Sequence, residues 1–410
     1  MLKELQLANF KSFAAGADPI PFAPVTILVG ANASGKSNVF DAIRFLQGIG
    51  MGLSIAEILT GKWEGGREVQ PALRGGPEEV CWASEDSFTI RTSVEFPYEK
   101  IEQGTRLAAP KIVRGMLSAG HQITCRPKPQ ALVEHESLRG LLVDTGEQPV
   151  EIHPESFANR RPYMRSLLAD VIADDMAFSE SVGWADRLAA RLLLGEYAAT
   201  VSLDIQPWRM KGYVPLAVPQ LGTHGENLSA VVRRICEDPH EKEQYLGWLA
   251  AFCAPEVTDI RFEQTPTDNV RVYLMEGTGQ GKLISAPSLS DGTLRFMAIL
   301  AAMLSAPEGS LFLIEEIETG LHPTRIHLLI ELFEQFAESR NLQIIATTHS
   351  PQVLLSLSDQ ALRDAVLFAR TPDSSGTVTR RLGDLPDFEE VTQQAHIDQL
   401  FTTGWMEQSV

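Results

Sequence analysis

One eight-residue segment constrains the fold of this chain more than any other. Gly30 to Ser37 (GANASGKS) fits the pattern G-x-x-x-x-G-K-[ST], and it follows a β-branched run, Val25 to Val29, and precedes apolar residues at helical spacing. A strand, a glycine-rich loop and a helix in this order form a phosphate loop, in which backbone N–H groups and the helix N-terminus face an anion. The pattern therefore predicts an α/β fold that binds a nucleotide through its phosphates.

Each residue type in this loop suits phosphate binding. The Lys36 ammonium can reach the β- and γ-phosphates of a nucleotide, and the Ser37 hydroxyl can be a ligand of Mg²⁺. The predicted nucleotide-binding residues are Gly30, Asn32, Ser34, Gly35, Lys36, Ser37 and Asn38.

Two carboxylates follow a buried strand near the other end of the chain. Leu311 to Ile314 is an apolar run, and Glu315 and Glu316 come directly after it. Ligands of open α/β sheets bind at the carboxyl ends of the strands. We therefore predict that Glu315 holds Mg²⁺ and that Glu316 orients or deprotonates the attacking water. On local grounds, two glutamates after a strand can also cap the next helix.

Two further segments place polar residues at the ends of regular elements. His349 follows the apolar strand Gln343 to Thr347 and is predicted to hydrogen-bond a γ-phosphate or its water. Ser290 and Gly292 open a helix that runs through Leu304, where the first amides suit a second phosphate contact. An ordinary N-cap at Ser290 explains the same residues equally well.

The composition excludes several classes of protein. The longest apolar run, Phe296 to Leu304, is about half of the roughly 18 residues that suggest a membrane span. The N-terminal residues lack the apolar region of a signal peptide, and the four cysteines form no C-x-x-C pair. We therefore expect a cytoplasmic protein without a membrane contact, a zinc ribbon or a disulfide framework.

The charge is unevenly distributed. The chain of 410 residues has 35 basic and 53 acidic side chains, a net charge of −18, and residues 216–410 alone carry −14. Binding of duplex DNA without base readout depends on dense lysine and arginine contacts to phosphate. The composition thus disfavours a protein whose main task is duplex binding.

The order of these segments resembles that of ATP-binding-cassette ATPases of the RecF/SMC/OLD type. The similarity is to the compact AAA-family form found in bacterial anti-phage defence systems, such as the RloA-like and PARIS-like ones. It rests on the phosphate loop, on an opening strand (LQLANFKSF, 5–13) and on four later segments, which are LSDGT (289–293), LFLIEE (311–316), IETGLHP (317–323) and TTHSP (347–351).

The resemblance implies an α/β fold, an ABC-type P-loop ATPase head with a mostly parallel central sheet, an antiparallel β subdomain and a helical insertion. It divides the chain into an N-lobe (1–100), a partly helical insertion (101–224), a C-lobe (225–370) and a tail (371–410). The implied cofactors are ATP and Mg²⁺.

The resemblance also implies a homodimer in which ATP is sandwiched at the interface. Ser290 and Gly292 match the family's signature loop, which contacts the γ-phosphate bound by the second subunit. Glu318 to His322 match the D-loop at the dimer seam, and His349 matches the switch histidine. Glu315 and Glu316 match the Mg²⁺-binding and hydrolytic acids.

Three functions compete for such a chain. The favoured one is an ATP-driven dimerising switch in anti-phage defence, which senses nucleic acid or a phage protein and controls a separate nuclease or toxin-like effector. The alternative is a RecF-like DNA-repair ATPase, which the acidic C-terminal half disfavours. A self-sufficient nuclease like the OLD enzymes is not expected, because the roughly 60 residues after Ser350 are too few for a second metal-binding domain.

The tail mixes acidic and apolar residues between Phe388 and Met406. It resembles the tails of defence ATPases that are encoded beside a small effector. Exposed aromatic side chains there would suit a partner, and packing against the chain's own C-lobe explains the same pattern. Both interpretations stay open at the level of sequence.

Overall fold

The computed structural model describes residues 1–65, 67–96, 115–144, 150–152, 164, 166, 168, 184–216, 220–253, 257–277, 281–370, 376–386, 388–394, 397–402 and 404. The strands are β1 (Leu2–Ala8), β2 (Ile20–Pro21), β3 (Val25–Val29), β4 (Lys62–Glu64), β5 (Arg67–Gln70), β6 (Phe88–Phe96), β7 (Gly115–Arg126), β8 (Leu132–Asp144), β9 (Val150–Ile152), β10 (Thr200–Leu203), β11 (Val214–Pro215), β12 (Val257–Gln264), β13 (Asn269–Glu276), β14 (Lys282–Ser285), β15 (Leu311–Ile314), β16 (Gln343–Thr348), β17 (Val366–Ala369) and β18 (Val378–Arg381).

The helices are α1 (Lys36–Gly50), α2 (Ile55–Thr60), α3 (Gly76–Glu79), α4 (Trp184–Ala198), α5 (Leu228–Ile235), α6 (Pro239–Phe252), α7 (Asp291–Ser305), α8 (Pro323–Ser339), α9 (Pro351–Leu354), α10 (Asp359–Asp364), α11 (Phe388–Gln394) and α12 (Ile397–Thr402). Two compact units contain them. Unit 1 comprises Met1–Thr200, Arg363–Gln394 and Thr403–Val410, and unit 2 comprises Val201–Leu362 and Ala395–Thr402.

Unit 1 contains an antiparallel sheet with the strand order β2-β1-β6-β7-β8-β9. β1 pairs with β6 with Leu5 opposite Thr92, and the sequence pattern of both strands alternates between buried and less buried residues. One face of such a sheet is covered by apolar packing. The ring of Phe88 on β6 meets those of Phe10 and Phe45 edge to face, with centroids 5.2 and 5.4 Å away.

The phosphate loop of unit 1 leaves a strand that is buried along its whole length. β3 pairs in parallel with β17, with Leu28 opposite Val366, and β17 pairs antiparallel with β18. α1 then buries its apolar side, and it lies so close to α4 that a Cβ at Gly50 would be 2.5 Å from the Ala198 nitrogen. Both elements that flank the loop are therefore held by core packing.

Unit 2 contains a second parallel pair, β15 and β16, with Ile314 opposite Ala346. A small antiparallel sheet has the order β11-β13-β12, with β14 also paired to β13. α7 is buried almost throughout, because its sequence between Leu294 and Leu304 is apolar except for Arg295. Phe296 on α7 stacks on Phe252 with ring centroids 3.9 Å apart.

The predicted fold class is confirmed, since the described residues form parallel strand pairs, antiparallel sheets and helices. The strand at 311–314 has the predicted bounds, and the strand predicted at 343–347 extends by one residue. In the described part of the insertion, α4 is helical as expected, but β7, β8 and β9 extend the sheet of unit 1, which the sequence analysis did not predict. The four-part domain division stays a prediction.

Two of the apolar residues in the tail, Phe388 and Leu400, are buried. Phe388 on α11 is 5 % exposed and Leu400 on α12 is 6 % exposed. These two side chains therefore do not form the exposed surface that a partner would need. Among the described residues, no helix has the length and apolar character needed to cross a bilayer.

Candidate functional site

The phosphate loop of unit 1 has a backbone that requires glycine at two positions. Gly30 has φ +150° and Gly35 has φ +110°, both in the region that favours glycine. A Cβ at Gly30 would lie 2.3 Å from the Phe368 carbonyl oxygen, and one at Gly35 would lie 2.4 Å from the Thr377 hydroxyl oxygen. Since neither distance is compatible with a side chain, the loop keeps this shape only with glycine.

The polar groups of the loop fit a bound phosphate chain. The Lys36 ammonium donates to the carbonyl oxygens of Gly30 and Ala31 over 2.5 and 2.8 Å, so it lies across the loop mouth. The Ser34 hydroxyl is buried without a hydrogen-bond partner in the described part of the chain, and Asn32 is exposed at the loop tip. An anion bound in the loop would accept hydrogen bonds from these polar groups.

A second layer of hydrogen bonds supports the loop. Thr377 donates its hydroxyl to the Ser34 carbonyl over 2.9 Å, and its hydroxyl oxygen is 2.7 Å from that of Ser12. The Asn38 side-chain amide donates to the Ser12 hydroxyl over 2.7 Å. Asn38, which we predicted as a nucleotide-binding residue, thus hydrogen-bonds Ser12, one of the side chains that support the loop. Ser12 and Thr377 are 365 positions apart, so no sequence pattern points to their pairing.

A buried carboxylate fixes the first turns of α1. Asp41 is 1 % exposed, and its carboxylate is 2.6 Å from the Lys11 ammonium and 3.0 Å from the Arg74 guanidinium. Arg74 also donates to the Ser37 carbonyl. Since the ion pairs lie directly behind Ser37, they hold the part of the helix that would bear a Mg²⁺ ligand.

In unit 2, the two predicted acids directly follow β15, as expected. Glu316 has φ +46°, a left-handed conformation that is rare for a residue with a side chain. Its amide donates to the Thr347 hydroxyl over 2.9 Å, and its carbonyl accepts from the Thr319 amide over 3.0 Å. Such strain persists only where the surroundings enforce it, and it concentrates at functional sites.

His349 is held by a carboxylate of the segment that we matched to the D-loop. One oxygen of Glu318, Oε1, accepts from the His349 amide over 3.0 Å and lies 3.2 Å from its Nδ1. The other, Oε2, is buried without a hydrogen-bond partner among the described residues. With Nδ1 facing the carboxylate, Nε2 is the nitrogen left to face a ligand. The sequence analysis named both residues but not their pairing.

The Ser290 loop packs against the same segment. The Ser290 hydroxyl accepts from the Thr293 amide over 3.0 Å, so Ser290 is the N-cap of α7. Gly292 lies so close to the turn after Glu318 that a Cβ there would be 2.5 Å from the Gly320 carbonyl oxygen. The Lys211 ammonium holds the Asp291 carboxylate over 3.0 Å. The local interpretation of Ser290 as a cap is correct, and the residue is exposed.

The structure thus groups the predicted residues by unit. Unit 1 carries the phosphate loop with Gly30, Asn32, Ser34, Gly35, Lys36, Ser37 and Asn38. Unit 2 brings together Ser290, Gly292, Glu315, Glu316, Glu318 and His349, which we call the strand-end cluster. Chemically, the loop can bind a phosphate chain, and the cluster can position carboxylates and an imidazole around a water molecule.

Two family models match the sequence. One, described as "AAA domain, putative AbiEii toxin, Type IV TA system", covers residues 119–356. The other, described as "RecF/RecN/SMC N terminal domain", covers residues 1–56, which include the phosphate loop. A curated relative, the chromosome partition protein Smc of Halothermothrix orenii, is 52% identical over 50 residues. That match spans 12% of this chain and only 4% of the relative.

Solved structures of SMC head domains are also similar. The Smc head bound to the C-winged helix domain of ScpA has a TM-score of 0.48 at 15% identity, with 92% of this chain and 97% of that chain covered. The SMC head domain from Thermotoga maritima has a TM-score of 0.42 at 15% identity, with 93% and 98% covered. A Smc head with an extended coiled coil, bound to a ScpA domain from Pyrococcus furiosus, has a TM-score of 0.47 at 14% identity, with 96% and 98% covered.

Proposed function

Because the chain belongs to the AAA-domain family whose model matches more than half of it, we propose that this ATPase is an ATP-dependent dimerising switch in bacterial anti-phage defence. ATP would bind at the phosphate loop of each copy and engage the Ser290 loop of a second copy. The dimer would then control a separate nuclease or toxin-like effector, with nucleic acid or a phage protein as the trigger.

The observation that carries this proposal is the construction of the strand-end cluster. Gly292 packs on Gly320, while Ser290, Asp291, Glu316 and His349 are exposed. A hydrolytic centre exposed on the surface of a unit is incomplete until a further group shields it from bulk water. A second copy that brings its own bound ATP would complete this surface in the symmetric manner of a two-fold dimer.

The proposed reaction assigns one role to each residue. Lys36 binds the β- and γ-phosphate oxygens, and the Ser37 hydroxyl and the Glu315 carboxylate would hold Mg²⁺. A Mg²⁺ ion there would neutralise charge on the phosphate oxygens. Glu316 accepts a proton from the attacking water, whose oxygen bonds to the γ-phosphorus while the bond to the bridging oxygen breaks and ADP leaves. Because Nδ1 of His349 faces the Glu318 carboxylate, Nε2 of the neutral imidazole is an acceptor and would take a hydrogen bond from the attacking water.

The link to defence rests on the resemblance of the motifs and on the description of the matching family, which names a toxin of a type IV toxin–antitoxin system. The alternative, a RecF-like DNA-repair ATPase, is less well supported, because residues 216–410 carry a net charge of −14.

Light scattering on purified protein tests the switch. In Glu316→Gln, which should bind ATP without hydrolysing it, we expect ATP and Mg²⁺ to double the mass from the 45.1 kDa of one chain. The double variant Lys36→Ala/Glu316→Gln is the matched control and should stay at the mass of one chain. A Glu316→Gln protein that binds ATP but never dimerises would refute the switch.

A phage challenge tests the biological role. Cells carrying this gene with its neighbouring genes should lose protection when either Lys36→Ala or Glu316→Gln is introduced. Unchanged plaque counts between wild-type and variant cells would remove the role in defence and leave the ATPase assignment intact.

A further inference from the structure

Arg295 is a buried cation within the apolar helix α7. It lies one turn after the Ser290 cap and is 6 % exposed. It is the sole charged residue between Leu294 and Leu304. A lone cation in an apolar helix is visible in the sequence, although the sequence analysis did not select Arg295. A helix that packs on all sides has no need for such a residue.

The guanidinium of Arg295 binds main-chain carbonyls. Nη2 donates to the carbonyl oxygens of Glu315 and Glu316 over 2.7 and 3.0 Å, and Nη1 donates to that of Ile205 over 3.3 Å. Nε is buried without a hydrogen-bond partner in the described part of the chain.

Stability alone does not explain this arrangement. Burial lowers the pKa of the Arg295 guanidinium from its ordinary value, while the charges of Asp204, Glu316 and Glu318 oppose that shift. Burying an ion is costly, and apolar side chains of similar size often replace buried ions without loss of stability. The reason for an arginine should therefore lie in what it holds.

What Arg295 holds is the backbone on both sides of the Glu316 Cα. The Glu315 carbonyl belongs to the planar peptide that precedes this Cα, and the Glu316 carbonyl belongs to the peptide that follows it. With both planes bonded to one rigid guanidinium, the φ and ψ angles of Glu316 are fixed. This accounts for the left-handed φ of +46° at a residue with a side chain.

We propose that Arg295 is a positioning residue that sets the backbone of Glu316 for hydrolysis and links the Ser290 loop, at the start of the same helix, to that turn. The inference rests on the proposed function. A movement of the Ser290 loop on contact with a second copy would reach Glu316 through the guanidinium, because Arg295 lies on the helix that Ser290 caps and binds the carbonyls on both sides of the Glu316 Cα.

Arg340 provides a matched control. Its guanidinium also donates to three main-chain carbonyls, those of Met303, Leu304 and Ala306, at the other end of the same helix. Arg295→Lys and Arg340→Lys therefore make the same chemical change, and only the first lies at the Glu316 turn. Lysine keeps the charge, but its single ammonium on a flexible stem replaces the rigid guanidinium whose two terminal nitrogens reach the Ile205, Glu315 and Glu316 carbonyls together.

The kinetic test compares these variants with wild type. We expect Arg295→Lys to lower kcat for ATP about 10- to 100-fold, the usual result of a displaced catalytic group, with the Kd for ATP changed less than about threefold. Arg340→Lys should keep the wild-type kcat. A wild-type kcat in Arg295→Lys would overturn the proposal, as would an equal loss in Arg340→Lys.

Hydrogen exchange gives a readout that needs no activity. In the nucleotide-free protein, the amides of Glu316 and Ile317, which donate to Thr347, should exchange faster in Arg295→Lys than in wild type or Arg340→Lys. Arg295→Met, which lacks the charge, should show the same increase if it folds. Unchanged exchange in Arg295→Lys would refute the positioning role, whereas a wild-type protein without ATPase activity would instead refute the proposed function.

Discussion

The phosphate loop and the strand-end cluster reach their geometry by different means. The loop consists of eight consecutive residues, of which Gly30, Ala33 and Gly35 have positive φ. The cluster draws on three segments, 290–292, 315–320 and 349, and depends on contacts between them. Its most strained residue, Glu316, is held by Thr347 and Arg295, which are distant in sequence.

The two regions are therefore vulnerable to different changes. The loop should fail when Gly30 or Gly35 is replaced, because neither position has room for a Cβ. The cluster can fail through neighbours that never touch the nucleotide, because its conformation is imposed by packing and hydrogen bonds. Variants of the loop should therefore lose ATP binding, whereas variants of the cluster should lose hydrolysis and keep ATP binding.

The largest effect is expected from Lys36→Ala in the loop. The variant loses the Lys36 ammonium, which lies 2.5 and 2.8 Å from the carbonyl oxygens of Gly30 and Ala31. In the proposed site, this ammonium binds the phosphates of ATP. Charge-assisted hydrogen bonds contribute about 1.5–3 kcal/mol each, so the affinity for ATP should fall about 100-fold or more. Calorimetric titration measures it. Tight ATP binding by this variant would contradict the assignment of the loop.

Glu316→Gln should separate hydrolysis from binding. The amide cannot accept a proton from water, so kcat should fall about 10²- to 10⁴-fold, the usual contribution of a positioned general base. ATP affinity should stay close to that of wild type, because the loop is unchanged. Steady-state phosphate release together with equilibrium binding checks both. An undiminished rate would move the role of general base to another residue.

Gly292→Ala should have a smaller effect through packing. The added Cβ would lie 2.5 Å from the Gly320 carbonyl oxygen, and both groups belong to the backbone, so the Ser290 loop must shift. We expect about a tenfold lower kcat with little change in ATP affinity.

Gly247→Ala on α6 is the control, since a Cβ there meets nothing within 4 Å. In that open position, alanine should stabilise the helix by about 0.5–1 kcal/mol and leave kcat unchanged. Equal rates for both variants would show that the contact between Gly292 and Gly320 has no part in hydrolysis.

The sequence predicted the loop more completely than the cluster. The strand before the loop, the glycines and Lys36 form one contiguous pattern, so local rules suffice. The strand at 311–314 and the start of α7 were also predictable, because apolar runs and capping residues mark them.

What the sequence could not predict depends on contacts across long separations. The pairing of Ser12 with Thr377 and of Glu318 with His349 joins residues that no short pattern connects. The left-handed backbone of Glu316 contradicts the local preference of glutamate and arises from its neighbours. The strands of the insertion were missed because their weak alternation becomes meaningful only when β7 pairs with β6 and β8 pairs with β7.

Mixing two inactive variants shows whether two copies of the chain share each ATP. Lys36→Ala lacks the phosphate contact, and Ser290→Arg places a bulky side chain at the exposed cap of α7. If Ser290 acts on ATP held by the other copy, a mixed dimer has one site with both lesions and one intact site. An equimolar mixture with free subunit exchange should then recover about a quarter of the wild-type ATPase rate, because about half of the dimers are mixed and each of these has one intact site of two. Confirmed mixed dimers with no activity above either parent would contradict the claim.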